Sequence, residues 1–157
     1  MDGSTSLSPA ARLLGYAGLL PQIFCLALIL AGHEWRYAAL AGGFAYAAAI
    51  FSFLGGVWWG QAVHGAQAGR PAGTGAYLVA VLPSLIAVAL FMPWSFGWEW
   101  PGPALLYLGA LIAFSPLIDR RLGFARDDFL RLRWQLSLGL GGLTIALGLA
   151  AGQVMGA

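Results

Sequence analysis

Apolar residues fill the chain in five long blocks, and every charged residue lies between or before them. The charge-free runs are Leu13–His33, Tyr37–Gly69, Pro71–Trp98, Trp100–Ile118 and Trp134–Ala157, of 21, 33, 28, 19 and 24 residues. A helix needs about 18 or more uncharged, mostly apolar residues to cross a bilayer. The pattern therefore predicts an all-α fold, a polytopic integral membrane bundle of five transmembrane helices in one domain. The helices are expected at 13–31, 37–63, 75–92, 103–118 and 134–154, behind a short polar N-terminal segment at 1–12. At 1.5 Å per residue the second would be about 40 Å long and must tilt or protrude from a ~30 Å hydrocarbon core.

The positions of the arginines add an orientation. With five crossings, Arg12, Arg70, Arg120, Arg121, Arg126, Arg131 and Arg133 fall on one side and only Arg36 on the other. Cytoplasmic loops carry the excess of arginine, so the N-terminus is expected inside and the C-terminus outside. The first apolar stretch is too long for a cleaved signal-peptide core of about 7–15 residues, and no arginine-rich amphipathic presequence is visible. These features favour a bacterial inner (cytoplasmic) membrane.

Composition then removes several chemistries. The chain has no lysine, so a Schiff base with retinal or pyridoxal and a Walker A loop both lack their residue. The single Cys25 cannot hold an iron–sulfur cluster or close an intrachain disulfide. His33 and His64 are expected at opposite ends of the membrane, about 30 Å apart, and so cannot ligate one haem. No metal or other cofactor is expected. A Ser84–His64 dyad would lack an orienting acid. The net charge of +2 is explained by the arginine distribution and gives no case for a nucleic-acid partner.

Polar residues gather in the half of the membrane nearer the arginines. Pro21, Pro83 and Pro116 interrupt three predicted helices and should kink them. Gln22 and Ser84 follow two of these prolines and Ser115 precedes the third, while Gln61, His64 and Gln135 sit near helix ends. Two readings fit. The polar groups could satisfy carbonyls freed by proline and bond across helices. Alternatively, the kinked helices could splay around a polar cavity open to the cytoplasm. The candidate cluster comprises Gln22, Trp58, Trp59, Gln61, His64, Ser84, Asp119 and Arg133. Within it, Asp119 at the end of one helix and Arg133 at the start of the next are placed to form an ion pair.

The stretch from Ser52 to Gln61 is the densest. Gly56 and Gly60 form a GxxxG pair beside Gly55, and such glycines let helix backbones approach closely. The adjacent Trp58 and Trp59 point about 100° apart, so one is expected inside the bundle and the other at its surface.

Tyr16-Ala-Gly-Leu-Leu-Pro21, Ala45-Tyr46, Phe51-Ser-Phe-Leu-Gly-Gly-Val-Trp-Trp-Gly60, Leu82-Pro-Ser-Leu85 and the later Asp119 and Leu132-Arg133 form an ordered series. In this the chain resembles the domain of unknown function 3429 family, the transmembrane protein 69-like small membrane proteins. The resemblance covers about Leu14 to Leu149 and implies five membrane helices, with no activity attached. It singles out Pro21, Ser52, Gly55, Gly56, Trp59, Gly60, Pro83, Ser84, Asp119 and Arg133. It also implies a basic residue or histidine at the position of Trp58, so a polar role there is expected to be absent in this chain.

Two functions of different classes follow. The first is a non-enzymatic accessory or assembly factor acting through helix packing and the arginine-rich inner loop. The second is a transporter or binding protein for a small molecule or lipid, using the proline-kinked polar cavity. The expected partners are the bilayer, anionic lipids at the inner face, and a membrane protein or a second copy. A reporter active only outside the cytoplasm should be active when fused after Ala157; activity of a cytoplasmic reporter there would defeat the five-helix topology.

Overall fold

The computed structural model describes residues 8–32, 34–69, 72–98, 101–122 and 127–155. The expectations placed on residues 1–7, His33, Arg70, Pro71, Trp100, Arg126 and Ala157 lie outside these residues. The described chain forms six α-helices: α1 (Pro9–Ala17), α2 (Leu20–Leu30), α3 (Arg36–Gln67), α4 (Thr74–Ser95), α5 (Gly102–Leu122) and α6 (Asp127–Met155). With α1 and α2 taken as one broken span, five units are long and apolar enough to cross a membrane. The protein is a multi-pass helical membrane protein.

Local chemistry sets the boundaries. Ser8 caps α1 by accepting a hydrogen bond from the Ala11 amide at 3.2 Å, with Pro9 in the first turn. The span breaks at Gly18–Leu19 because Pro21 has no N–H to give the Ala17 carbonyl. Pro21 was expected to kink a continuous helix; it begins a new one instead. The Gly18 carbonyl is taken up by the Tyr46 hydroxyl on α3.

Helix α4 continues through Pro93 to Ser95, past the expected end at residue 92, because the terminating signal lies further on. Gly97 has φ 74°, its amide bonds the Trp94 carbonyl at 2.9 Å, and the Trp98 amide bonds the Pro93 carbonyl at 2.9 Å. That is the paired closure of a left-handed glycine cap. Helix α6 begins at Asp127, seven residues before the expected start at Trp134, and α5 runs past Ile118 to Leu122. Arg120, Arg121, Arg131 and Arg133 are thus carried on helix ends.

Helix α3 is central. Its buried positions Leu40, Phe44, Ala47, Phe51, Leu54, Trp58, Ala62 and Gly65 recur every three or four residues, the spacing of a packed helical seam. Against it lie Leu105, Leu108 and Ile112 of α5 and Leu140 and Leu147 of α6. Large apolar side chains point outward all round, with Leu13, Leu30 and Phe96 about 70% exposed. Such a surface would be a liability in water and is ordinary against lipid.

Glycines bring the helix backbones together at three places, one between α3 and α4 and two between α5 and α6. On α3 the close approach is at Gly55, where a Cβ would overlap the Ala80 carbonyl oxygen and stand 3.2 Å from Pro83 Cγ. The approach expected at Gly56 and Gly60 is not made within this chain: a Cβ at either would meet nothing within 4 Å. The reason is rotational, since Gly56 and Gly60 each lie two residues, about 200°, from the seam residue Trp58.

Between α5 and α6, a Cβ on Gly109 would stand 2.7 Å from the Gly141 carbonyl, and one on Gly141 would stand 2.6 Å from the Gly109 carbonyl. Gly148 faces Gly102 in the same way, with a Cβ-to-carbonyl distance of 3.0 Å. Seven residues forward on α5 correspond to seven backward on α6, as an antiparallel pair requires.

Gly55→Leu and Gly109→Leu are each expected to destabilise the fold by about 1–3 kcal/mol or more through overpacking. Gly56→Leu and Gly60→Leu should leave it nearly unchanged. Thermal unfolding in detergent, followed by monodisperse elution, measures the four variants side by side.

Candidate polar centre

The functional question turns on what the membrane-buried polar residues do. The second half of α5 supplies two of them, Ser115 and Asp119, with the buried Pro116 beside the serine. Pro116 cannot donate to the Ile112 carbonyl four residues back, and the Ser115 hydroxyl does so instead at 2.8 Å. The same hydroxyl lies 3.3 Å from that of Ser137 on α6.

One turn further along α5, Asp119 is wholly buried. Its Oδ1 accepts from the Trp58 indole Nε1–H at 2.7 Å, and its Oδ2 accepts from Arg133 Nε at 2.9 Å. Trp58 is 1% exposed and the Arg133 side chain 12%. Three helices therefore meet on one carboxylate: α3 through an indole, α5 through the acid and α6 through a guanidinium. An isolated carboxylate in this setting would be prohibitive, whereas a carboxylate with a counter-charge and a donor on each oxygen is tolerable. Because both oxygens are engaged and the side chain is fully buried, the arrangement ties the three helices together.

Of the eight residues expected to cluster, the structure joins three: Trp58, Asp119 and Arg133. Gln61, one turn beyond Trp58 on α3, is half-buried, and among the described residues neither its Oε1 nor the buried Arg133 Nη2 has a hydrogen-bond partner. Gln22 is buried but elsewhere, donating from Nε2 to Thr144 Oγ1 at 2.9 Å. Thr144 lies eleven residues along α6 from Arg133, about 16 Å of helix rise. Starting the first span at Pro9, not Leu13, is what carries Gln22 to that depth. His64 and Ser84 are exposed on the flanks of α3 and α4. Trp59 is exposed too, its ring edge-on to Tyr77 at 5.0 Å. The cytoplasm-facing polar cavity drawn from all eight residues is therefore not assembled.

Trp58 corrects a further expectation. Its position does have a polar role here, through the indole N–H. The sequence reading also passed over Ser137 and Thr144, which follow Arg133 at helical spacing on an otherwise Leu/Gly-rich helix. That stripe was a usable signal. Tyr16, donating to Gln135 Oε1 at 2.6 Å, ties α1 to the start of α6 and places Arg12 at the same end of the bundle as Asp119. No group of three His, Cys, Asp or Glu able to hold a metal occurs among the described residues.

Asp119→Ala and Arg133→Ala should each cost about 3–5 kcal/mol, because each leaves a buried charge unpaired. The double variant should lose clearly less than the two single losses combined. Trp58→Phe should cost about 1–3 kcal/mol for one unsatisfied carboxylate oxygen, and the exposed Asp128→Ala close to nothing. Unfolding in detergent across this set measures the coupling, and strictly additive losses would show that the pair does not interact.

Comparison with known proteins adds the lineage. No curated protein and no solved structure matches the chain. Residues 7–150 match a family described as Protein of unknown function (DUF3429), which takes in every helix except the end of α6. The ordered motifs from Tyr16 to Arg133 fall inside that span, and the chain belongs to the DUF3429 family.

Proposed function

We propose that this protein is a non-enzymatic accessory or assembly factor of a bacterial inner membrane, acting through its helix faces and its arginine-bearing end. The observation that carries this reading is the inward pairing of the buried polar side chains: Asp119 with Trp58 and Arg133, Gln22 with Thr144, Ser115 with Ser137. Polar groups spent on one another hold a scaffold together, and among the described residues Gln22 Oε1, Gln61 Oε1 and Arg133 Nη2 are the buried side-chain atoms left over. Pro83 borders an apolar groove, which favours a scaffold over a transport route.

What is left for recognition is outside. Arg12, Arg120, Arg121 and Arg131 are exposed, and the bonds Tyr16–Gln135 and Asp119–Arg133 bring their helix ends together, with Arg36 at the far end of α3. With that cationic end in the cytoplasm, as the arginine excess favours, it would meet anionic headgroups or an acidic partner surface.

Purification in mild detergent, with mass spectrometry of what is retained, tests the proposal. The wild-type chain should hold a membrane-protein partner near unit stoichiometry. The variant Arg12→Gln/Arg120→Gln/Arg131→Gln should lose that partner while unfolding at the wild-type temperature. Retention of a small polar solute in place of a protein would overturn the reading.

A further inference from the structure

Helix α4 packs chiefly on α3 and helix α5 chiefly on α6, and α4 and α5 touch each other little. The gap between α4 and α5 is a groove of about 430 Å³. Leu82 and Ile86 line one wall, Phe114 and Ile118 the other, and Trp58 and Arg121 also border it. We propose that this groove binds one acyl chain of an anionic phospholipid whose phosphate pairs with Arg121. The proposal is independent of the accessory role.

Three observations define the occupant. The first is the state of the polar atoms lining the groove. The Trp58 N–H is committed to Asp119 and the Ser115 hydroxyl to Ile112, so below Arg121 the walls offer only hydrocarbon. The second is length. From Leu111, the first α5 residue on the wall, to Arg121 is ten residues, about 15 Å of helix rise. That is half of a ~30 Å hydrocarbon core, the depth of one leaflet. A helix from another protein would want a face running the full thickness, whereas a lipid chain ends where this groove ends.

The third observation is charge. Arg121 is exposed, forms no ion pair among the described residues, and stands at the headgroup end of the same α5 face as Phe114 and Ile118. A guanidinium above an apolar slot matches a phosphodiester above an acyl chain. Arg120, its neighbour, does not border the groove.

Native mass spectrometry of the full chain in mild detergent, with equal amounts of phosphatidylglycerol and phosphatidylcholine carrying identical chains, tests the site. One phosphatidylglycerol should be retained with about fivefold preference, the size of a single arginine contact at an anionic surface. Arg121→Gln, an exposed substitution, should erase the preference, and Arg120→Gln should keep it. Leu82→Trp, which fills the slot, should remove the retained lipid of either kind.

Inorganic phosphate should not displace the lipid; displacement would mean a headgroup site without a chain site and would overturn the proposal. So would equal retention of the two lipids, retention of neither, or the same loss of preference in Arg120→Gln. A dimer that Leu82→Trp dissociates, with lipid content unchanged, would assign the groove to a second copy and overturn it as well.

Discussion

A carboxylate buried among hydrocarbon has to be neutralised and hydrogen-bonded, and Asp119 meets that demand with one donor on each oxygen. Everything near it is arranged by that requirement. Arg133 must approach from α6 and Trp58 from α3, so the rotation of both helices about their axes is set at this level. The hydrophobic effect cannot set those rotations, because a helix with apolar residues all round is equally content in lipid whichever way it turns.

Distance is controlled separately. Gly109 against Gly141 and Gly102 against Gly148 bring the α5 and α6 backbones into contact, and Ser115 with Ser137 and Asp119 with Arg133 continue the same antiparallel seam. Glycine supplies the close approach, and the polar pairs supply the register. A slip of one turn would bring a Leu or Ile side chain against a glycine and leave a carboxylate facing alkane. At Gly55 the same device seats Ala80 and Pro83 of α4 on α3.

The sequence yields the five spans because exclusion of charge from a bilayer is a one-dimensional constraint, written as runs along the chain. It also yields the Asp119–Arg133 pair, since a short connection leaves the two helix ends side by side. What stays hidden needs azimuth. Gly55 and Gly56 are neighbours in an apolar helix, yet only the first faces α4, and no periodicity of hydropathy distinguishes them when lipid and core are equally apolar. Gln22 finds Thr144 across 122 positions, a pairing no local pattern encodes. Proline misled twice for a related reason: Pro21 opens a helix and Pro93 sits inside one, because the outcome depends on which carbonyl can go unpaired.

Helices α5 and α6 keep their strongest polar interactions between themselves, the serine pair and the ion pair both lying within the hairpin. From α3 the centre draws only an uncharged indole. The last two helices can therefore enter a bilayer together with their buried charges matched, Asp119 already paired with Arg133 before the remaining bundle closes around them. Chain order then becomes an assembly order: the earlier spans can wait in lipid without a buried charge of their own, and the late hairpin brings its acid and its base across the threshold as a pair.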